Sequence, residues 1–480
     1  MFADSPVTVH SAGASTRGPQ THLPGQEYLQ HQAEVNLADE TDTRAADSGQ
    51  LLERVAWLPN LARALLKVAS NKGAPGVDGD SVELAVERAP ELLAELHRAL
   101  IAGTYVPGDI RRVWIPKPGG GDRGLGIPNV VDRIVQQATL QVLEPIFEPT
   151  FHDSSHGFRR RRGAQTAIAE AERYFAEGYA ITVDIDLSKF FDRVHHQRLL
   201  SRLAQLIDDG RVLKLIHRML KAKVVLPDGT SSPTQEGAPQ GGPLSPLLSN
   251  VVLNELDWEL ERRGLRFVRY ADDFSIFVRS RRSGERVMAS VQRFIEQRLR
   301  LKINEDKSSV SQPHDLSFLG FHLRKSSDGA ISIDISAKTK KRVNARIREL
   351  TPRTWGNRFD RCVERLNRYL TGWIGYFRLC TSIRSFSNID AHIRRRLRAI
   401  LVRQKKRSRH LFRHLQTRGI SRGQAWKTAY HIRNVWRRSC SFGVHKAYSN
   451  AWFADRLVSL CGRWQNLQPP SQVQGQLMLF

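Results

Sequence analysis

Three carboxylates in this chain have the type and spacing for phosphoryl-transfer chemistry. Asp186 ends the alternating, β-branched segment ITVDID (181–186), and Asp272 and Asp273 sit at the tip of the hairpin pattern LRFVRYADDFSIFV (265–278). Two-metal phosphoryl transfer needs carboxylates that converge on a pair of Mg²⁺ ions about 3.5–4 Å apart. Mg²⁺ is a hard cation that prefers oxygen. One ion would lower the pKa of an attacking hydroxyl, and both would neutralise charge in an in-line transition state. An Asp-Asp pair alone also suits an ordinary turn, because Asp tolerates turn dihedrals. The reading therefore rests on the joint occurrence of these segments with those around them.

A strand end and an adjacent hairpin tip converge only if one sheet holds both. The pattern supplies such elements. Helix is predicted over 51–70, restarting at Pro59, and over 91–100, 130–147 and 284–299. Strand, glycine-rich turn and strand are predicted over 111–128, a hairpin turning at Asp228-Gly229 over 223–235, and a strand over 316–323. Strands interleaved irregularly with helices point to an α+β fold rather than a doubly wound sheet. After about residue 337 the pattern becomes helical and basic. Residues 391–454 hold 17 Lys and Arg and no Asp or Glu.

The 480 residues suffice for several domains and a core that needs no disulfide or metal staple. Lys and Arg number 74 against 48 Asp and Glu, a net charge of +26. Such a charge points to a polyanionic partner, most simply nucleic acid. The four cysteines form no CxxC pair, which argues against a zinc ribbon and for free thiols in a reducing compartment. No apolar run approaches a membrane span, and the first residues lack a secretory pattern. Residues 1–50, with seven acidic residues against two arginines and few large apolar ones, are expected to be a disordered acidic tail. In the basic region, RRRLRAILVRQKKRSR (394–409) is the expected nucleic-acid contact. Helical spacing assigns Trp426, Tyr430 and Trp436 to a core, with stacking on unpaired bases as the alternative.

Several segments together carry a family resemblance. YADDF (270–274) and DIDLSKFFDRVHH (184–196) resemble the two catalytic motifs of reverse transcriptases, and APQGGPLSPLLSNVVLNELD (238–257) is similar to the motif between them. PKPGGGDRGLGIP (116–128) resembles the fingers loop that closes on the triphosphate, with Gly124 where the family usually has proline. LKINEDKSSV (301–310) and DLSFLGFHL (315–323) resemble the motifs that follow. NKGAPGVDG (71–79), HGFRRRRGAQTAI (156–168) and LNRYLTGWIGYFRL (366–379) narrow the resemblance to the bacterial group II intron-encoded reverse transcriptase/maturases. The lack of paired cysteines near residue 480 suits the class C-like members without an HNH endonuclease.

The resemblance implies a right-hand polymerase. Fingers and palm would span 51–336, a maturase or X (thumb) domain 337–390, and a basic helical nucleic-acid-binding extension 391–480. Asp186, Asp272 and Asp273 would be the Mg²⁺ ligands, with Mn²⁺ as a substitute. Lys307 would be a general acid for pyrophosphate or a charge stabiliser, unless it is merely solvated. Lys117 and Arg123 would clamp phosphates, Gln240 would lie beside nucleotide and template, and Phe191 would exclude a ribose 2′-hydroxyl while Phe190 packs in the core. Asp192 would be structural. The implied function is an RNA-directed DNA polymerase, a nucleotidyltransferase that also binds its intron RNA, assists splicing and supports retromobility. Its partners would be intron RNA, a DNA target or primer and dNTPs, without a membrane, in the bacterial cytoplasm and at the nucleoid when on its DNA target. The alternatives are a reverse transcriptase domesticated for phage defence or a CRISPR-associated system, and a splicing-only maturase.

Overall fold

The computed structural model describes residues 24–34, 50–116, 121–234, 236–311, 317–325, 330–352, 356 and 358–467. Two compact units divide the chain. Of the described residues, one holds those from 24 to 174 and 178 to 311, the other those from 317 to 467 with 175–177.

In the first unit, alternation builds the sheet that matters for chemistry. Strands β1 (Ile110–Pro116) and β2 (Asp122–Ile127) form a hairpin, as the pattern predicts, and β1 also pairs in parallel with β4 (Val224–Val225), which pairs with β5 (Ser231–Ser232). A second, fully antiparallel sheet comprises β3 (Ile181–Asp186), β6 (Arg266–Tyr270), β7 (Asp273–Val278) and β8 (Ser309–Ser311) in the order β6-β7-β3-β8. Along β3, Ile181, Val183 and Ile185 are buried on one face. Thr182, Asp184 and Asp186 share the other, because successive side chains alternate. Helix Arg281–Phe294 packs on β3, β7 and β8 and helix Ser245–Arg262 on β6, and their buried apolar residues join those of Leu51–Ala56, Leu58–Ser70 and Val130–Phe147 in one continuous core.

The helix restart expected at Pro59 is at Leu58, with the proline in the first turn, where no intrahelical N–H is lost. Within the expected disordered tail, residues Pro24–Glu34 form a helix with Leu29 fully buried in this core, which corrects that expectation for this segment. A few apolar side chains suffice for order once a preformed surface receives them. Residues 1–23 and 35–49 lie outside the described residues.

A polar cluster ties residues 154–174 together. The Glu170 carboxylate meets the His156 Nε2 (2.7 Å) and accepts from the Ser154 hydroxyl (2.9 Å) and the Tyr174 hydroxyl (2.6 Å). Burial pushes its pKa up, but these hydrogen bonds outweigh burial and hold it down at about 2. A carboxyl with a folded-state pKa below its unfolded value contributes stability above the unfolded value, near 4.5, and loses it as pH falls toward 2. The wild type should therefore lose about 2–3 kcal/mol more than Glu170→Gln between pH 5 and pH 2.5. Urea midpoints at the two pH values would show this; parallel losses would refute it.

In the second unit, residues 316–323 are not one strand. Leu319 and Gly320, at φ 49° and 83°, make a two-residue turn between β9 (Ser317–Phe318) and β10 (Phe321–Lys325), and β10 pairs with β11 (Ile331–Ile335). Positive φ at both central residues matches the right-handed twist of a hairpin. This meander clusters with the C-terminal unit. The helix Ile383–Gln404 runs unbroken through 390, with buried residues on both sides, so no domain edge falls there. All four cysteines are free; Cys362 and Cys380 are buried, whereas Cys440 is exposed. Among the described residues, no helix is long and apolar enough to cross a membrane.

Candidate active site

The β3–β7 register places Asp186 directly opposite Asp273. Cross-strand partners share a face, so the two carboxyls rise from the same side of the sheet. Asp272 precedes Asp273 in the two-residue turn that follows Tyr270. Ala271 sits at φ 58°, which suits the primed turns of hairpins but strains a non-glycine residue. Burial raises the Asp272 pKa, and the Asp186 charge adds to it while Arg123 opposes it. Burial, with the Asp272 charge next in weight, lifts Asp273 to about 6. Two carboxyls are thus held at a cost in metal-free protein, an arrangement found where function rather than stability decides.

One rung further along β3, Ser275 donates a hydrogen bond to the partly buried Asp184, whose pKa desolvation lifts to about 6. On the β8 side, the Asp186 N–H donates to the Ser308 hydroxyl (3.1 Å), and its carbonyl accepts from the Asn304 N–H (2.8 Å). These bonds seat Lys307, whose Nζ lies 3.6 Å from Asp186 Oδ2. Among the described residues, no three His, Cys, Asp or Glu side chains form a ready-made metal cage. An open set of carboxylates still fits Mg²⁺, which keeps waters and is commonly completed by substrate phosphates.

The other candidates are brought to the site by backbone bonds. The Gln240 carbonyl accepts from the Gly126 N–H (2.7 Å), and its side-chain Oε1 accepts from Arg123 Nε (3.0 Å). Gly241, at φ 127°, permits this approach: a Cβ there would lie 2.4 Å from the Gly126 carbonyl oxygen. The same loop reaches the strand end, with the Ala238 N–H donating to the Phe191 carbonyl (2.7 Å) and the Gly237 N–H to that of Val194 (2.8 Å). Phe190 and Phe191 are both buried, with ring centroids 5.1 Å apart, so burial does not separate a core role from a gating one. Asp192 is exposed, and its backbone N–H donates to the Lys189 carbonyl. Lys117 lies outside the described residues.

The residues that hold the hairpin tip are absent from the sequence reading. Arg269, fully buried on β6, forks onto Asp257 (2.7 and 2.6 Å) and donates to Asn250 Oδ1 (3.0 Å) and the Ala271 carbonyl (2.9 Å). Asn250 in turn donates to the Gly157 carbonyl (3.0 Å). Gly157 lies so close to the turn that a Cβ would stand 2.2 Å from the Ala271 nitrogen. Residues 154–156 also bond to the Arg269 backbone, forming a short extra edge beside β6. The available signal was a charge on the strand face that carries Phe267 and Phe274, with Asn250 and Asp257 set among the apolar residues of one helix.

The basic region also differs from expectation. Within 394–409, Arg396 and Arg398 are buried, donating respectively to Thr351 and to the Tyr448 carbonyl, so they serve packing. Arg403, Lys406, Arg407 and Arg409 remain exposed. Trp426 and Tyr430 are 49% and 42% exposed rather than core. Trp436 is half-buried under the Arg395 guanidinium, 4.1 Å from its ring centroid.

Residues 115–323 match the family described as reverse transcriptase (RNA-dependent DNA polymerase), and 340–419 match the group II intron maturase-specific domain. Protein YkfC of Escherichia coli K12 is 34% identical over 315 residues, covering 57% of this chain and 82% of that protein. The group II intron-encoded protein LtrA of Lactococcus lactis is 31% identical over 354 residues, covering 59% of this chain; the chain spans 58% of LtrA. A solved partial Cas6-RT-Cas1–Cas2 complex is 24% identical, with a TM-score of 0.33, over 51% of this chain and 42% of that one.

Proposed function

The chain belongs to the group II intron-encoded reverse transcriptases, RNA-directed DNA polymerases with a maturase-specific domain, and from that premise we propose that it copies intron RNA from a DNA primer and assists splicing of the same RNA. The observation that carries the catalytic part is the register of Asp186 against Asp273, with Arg123 and Gln240 joined nearby. Asp186, Asp272 and Asp273 would hold Mg²⁺, or Mn²⁺ in its place. When bound, the metal supplies charge neutralisation and a more acidic primer hydroxyl.

The remaining work falls to side chains of this chain. Arg123 presents a planar fork to phosphate oxygens, a geometry a lysine lacks. Lys117 adds a point charge to the same clamp. Gln240 orients the incoming nucleotide against the template. The primer 3′-oxygen bonds to the α-phosphorus as the bond to the β-phosphate bridging oxygen breaks. Lys307 gives a proton to the departing pyrophosphate, and the primer hydroxyl proton passes to solvent. Phe191 fills the space a 2′-hydroxyl would need. Phe191→Val should raise the ratio of ribonucleotide to deoxynucleotide incorporation by roughly 10–100-fold. An unchanged ratio in a folded variant would return Phe191 to the core.

Primer extension tests the reading, with an RNA template, dNTPs and Mg²⁺, beside splicing of RNA transcribed from the DNA flanking the gene. Both activities are expected. Splicing without extension would leave a maturase only. Extension without stimulation of splicing would favour a domesticated polymerase.

A further inference from the structure

The segment after the matched maturase domain carries a group of rings that the catalytic reading does not use. The short helix Arg422–Trp426 passes into a π-helical turn, Lys427–His431. A π-turn widens the spiral, so residues four and five positions on both come alongside the first. Here Tyr430 and His431 both flank Trp426, with ring centroids at 5.9 and 4.7 Å. Phe412 extends the row, 6.2 Å from Tyr430. Trp426 and Tyr430 are about half exposed, and Phe442 is 63% exposed on a helix that sits flush against this segment where Gly443 meets Thr428. Widened turns of this kind recur at functional sites.

The surroundings say what would cover the rings. Arg409, Arg413, Arg422, Lys427 and Arg433 are exposed, and no acidic residue occurs between 391 and 454. A protein partner would bury these cations against its own surface at a desolvation cost. Phosphates flanking unpaired bases neutralise them while the bases stack on the rings. Tyr430 and His431 add groups able to hydrogen-bond a ribose 2′-hydroxyl.

We propose that Trp426, Tyr430 and His431, rimmed by Arg422, Lys427 and Arg433, form a stacking platform for unpaired bases of single-stranded RNA. This deepens the RNA-binding reading above and rests on it. Bound to the platform, a loop of folded RNA would be distinguished from duplex, whose bases are already stacked.

The test uses the full chain and a single-stranded RNA 12-mer, the same sequence as a blunt RNA duplex, and its DNA counterpart. Trp426→Ala/Tyr430→Ala should lose roughly 10-fold or more in affinity for the single-stranded RNA. Duplex affinity and the salt slope should be unchanged, because no cation is removed. Trp426→Phe/Tyr430→Phe should recover most of the loss, which separates stacking from misfolding. Equal losses on duplex and single strand, or no loss at all, would overturn the platform. A loss confined to single-stranded DNA would overturn RNA as its occupant. Unchanged RNA binding together with loss of self-association in light scattering would mark the patch as a protein contact. Failure of the wild type to bind any RNA would instead overturn the RNA-binding reading itself.

Discussion

Asp273→Asn is expected to lower primer extension at least about 10³-fold while making the metal-free protein more stable above pH 6. On the proposed function Asp273 would be one of the metal-holding carboxylates, and its removal would forfeit several kcal/mol of transition-state charge stabilisation. The stability gain follows from linkage. Burial, with Asp272 next to it, raises the folded-state pKa of Asp273 to about 6, above its unfolded value. Folded protein therefore keeps this proton where unfolded protein has lost it. The destabilisation is absent below about pH 4, grows as pH rises through 6, and then stays constant. Asparagine carries no charge to desolvate, so the variant should gain on the order of 1–3 kcal/mol at pH 7.5 in EDTA and little at pH 4. Thermal melts at both pH values, beside extension assays, provide the check. A variant both inactive and destabilised at pH 7.5 would show that Asp273 supports the fold rather than the chemistry. RNA affinity should be unaffected, since cations rather than this carboxylate meet phosphates.

The second large effect concerns Arg269. Replacing it with methionine leaves Asp257 buried without its partner, which typically costs about 3–5 kcal/mol. It also removes the donors to the Ala271 carbonyl and to Asn250, so the turn carrying Asp272 loses its brace. The pair Arg269→Met/Asp257→Leu should regain most of the stability, because an apolar pair can replace a buried ion pair at little cost. Primer extension should stay depressed in that double variant, about 10-fold or more, since small displacements of reacting groups are expensive. Recovery of extension together with stability would make Arg269 a packing residue only. Arg269→Lys should fail on both counts, because an ammonium cannot make the two-pronged contact with Asp257 together with the two further bonds.

Much of this protein is legible in its sequence. Alternation marks β3 and the β6–β7 hairpin, helical spacing marks 51–70 and 130–147, and the placement of Asp186, Asp272 and Asp273 at strand ends follows from those patterns. The charge of residues 391–454 sets the expectation of a polyanionic partner. Local spacing carries such information because side-chain periodicity is set by the backbone itself.

Contacts between distant segments required the tertiary structure. Asp186 meets Asp273 through a register between strands 87 positions apart, and a slip of one residue would put one carboxyl on the opposite face. Arg269 is an ordinary charged residue in sequence and becomes the brace of the turn only when Asp257, Asn250 and Gly157 surround it. Leu29 is ordered by a surface built from residues far along the chain. Trp426 and Tyr430 have the spacing of core residues but lie exposed, and Arg396 and Arg398 have the charge of contact residues but are buried. The sequence by itself determined the elements and the chemistry they can bear. Only the tertiary structure decided which face each element turns inward, because burial and long-range pairing depend on every neighbour at once.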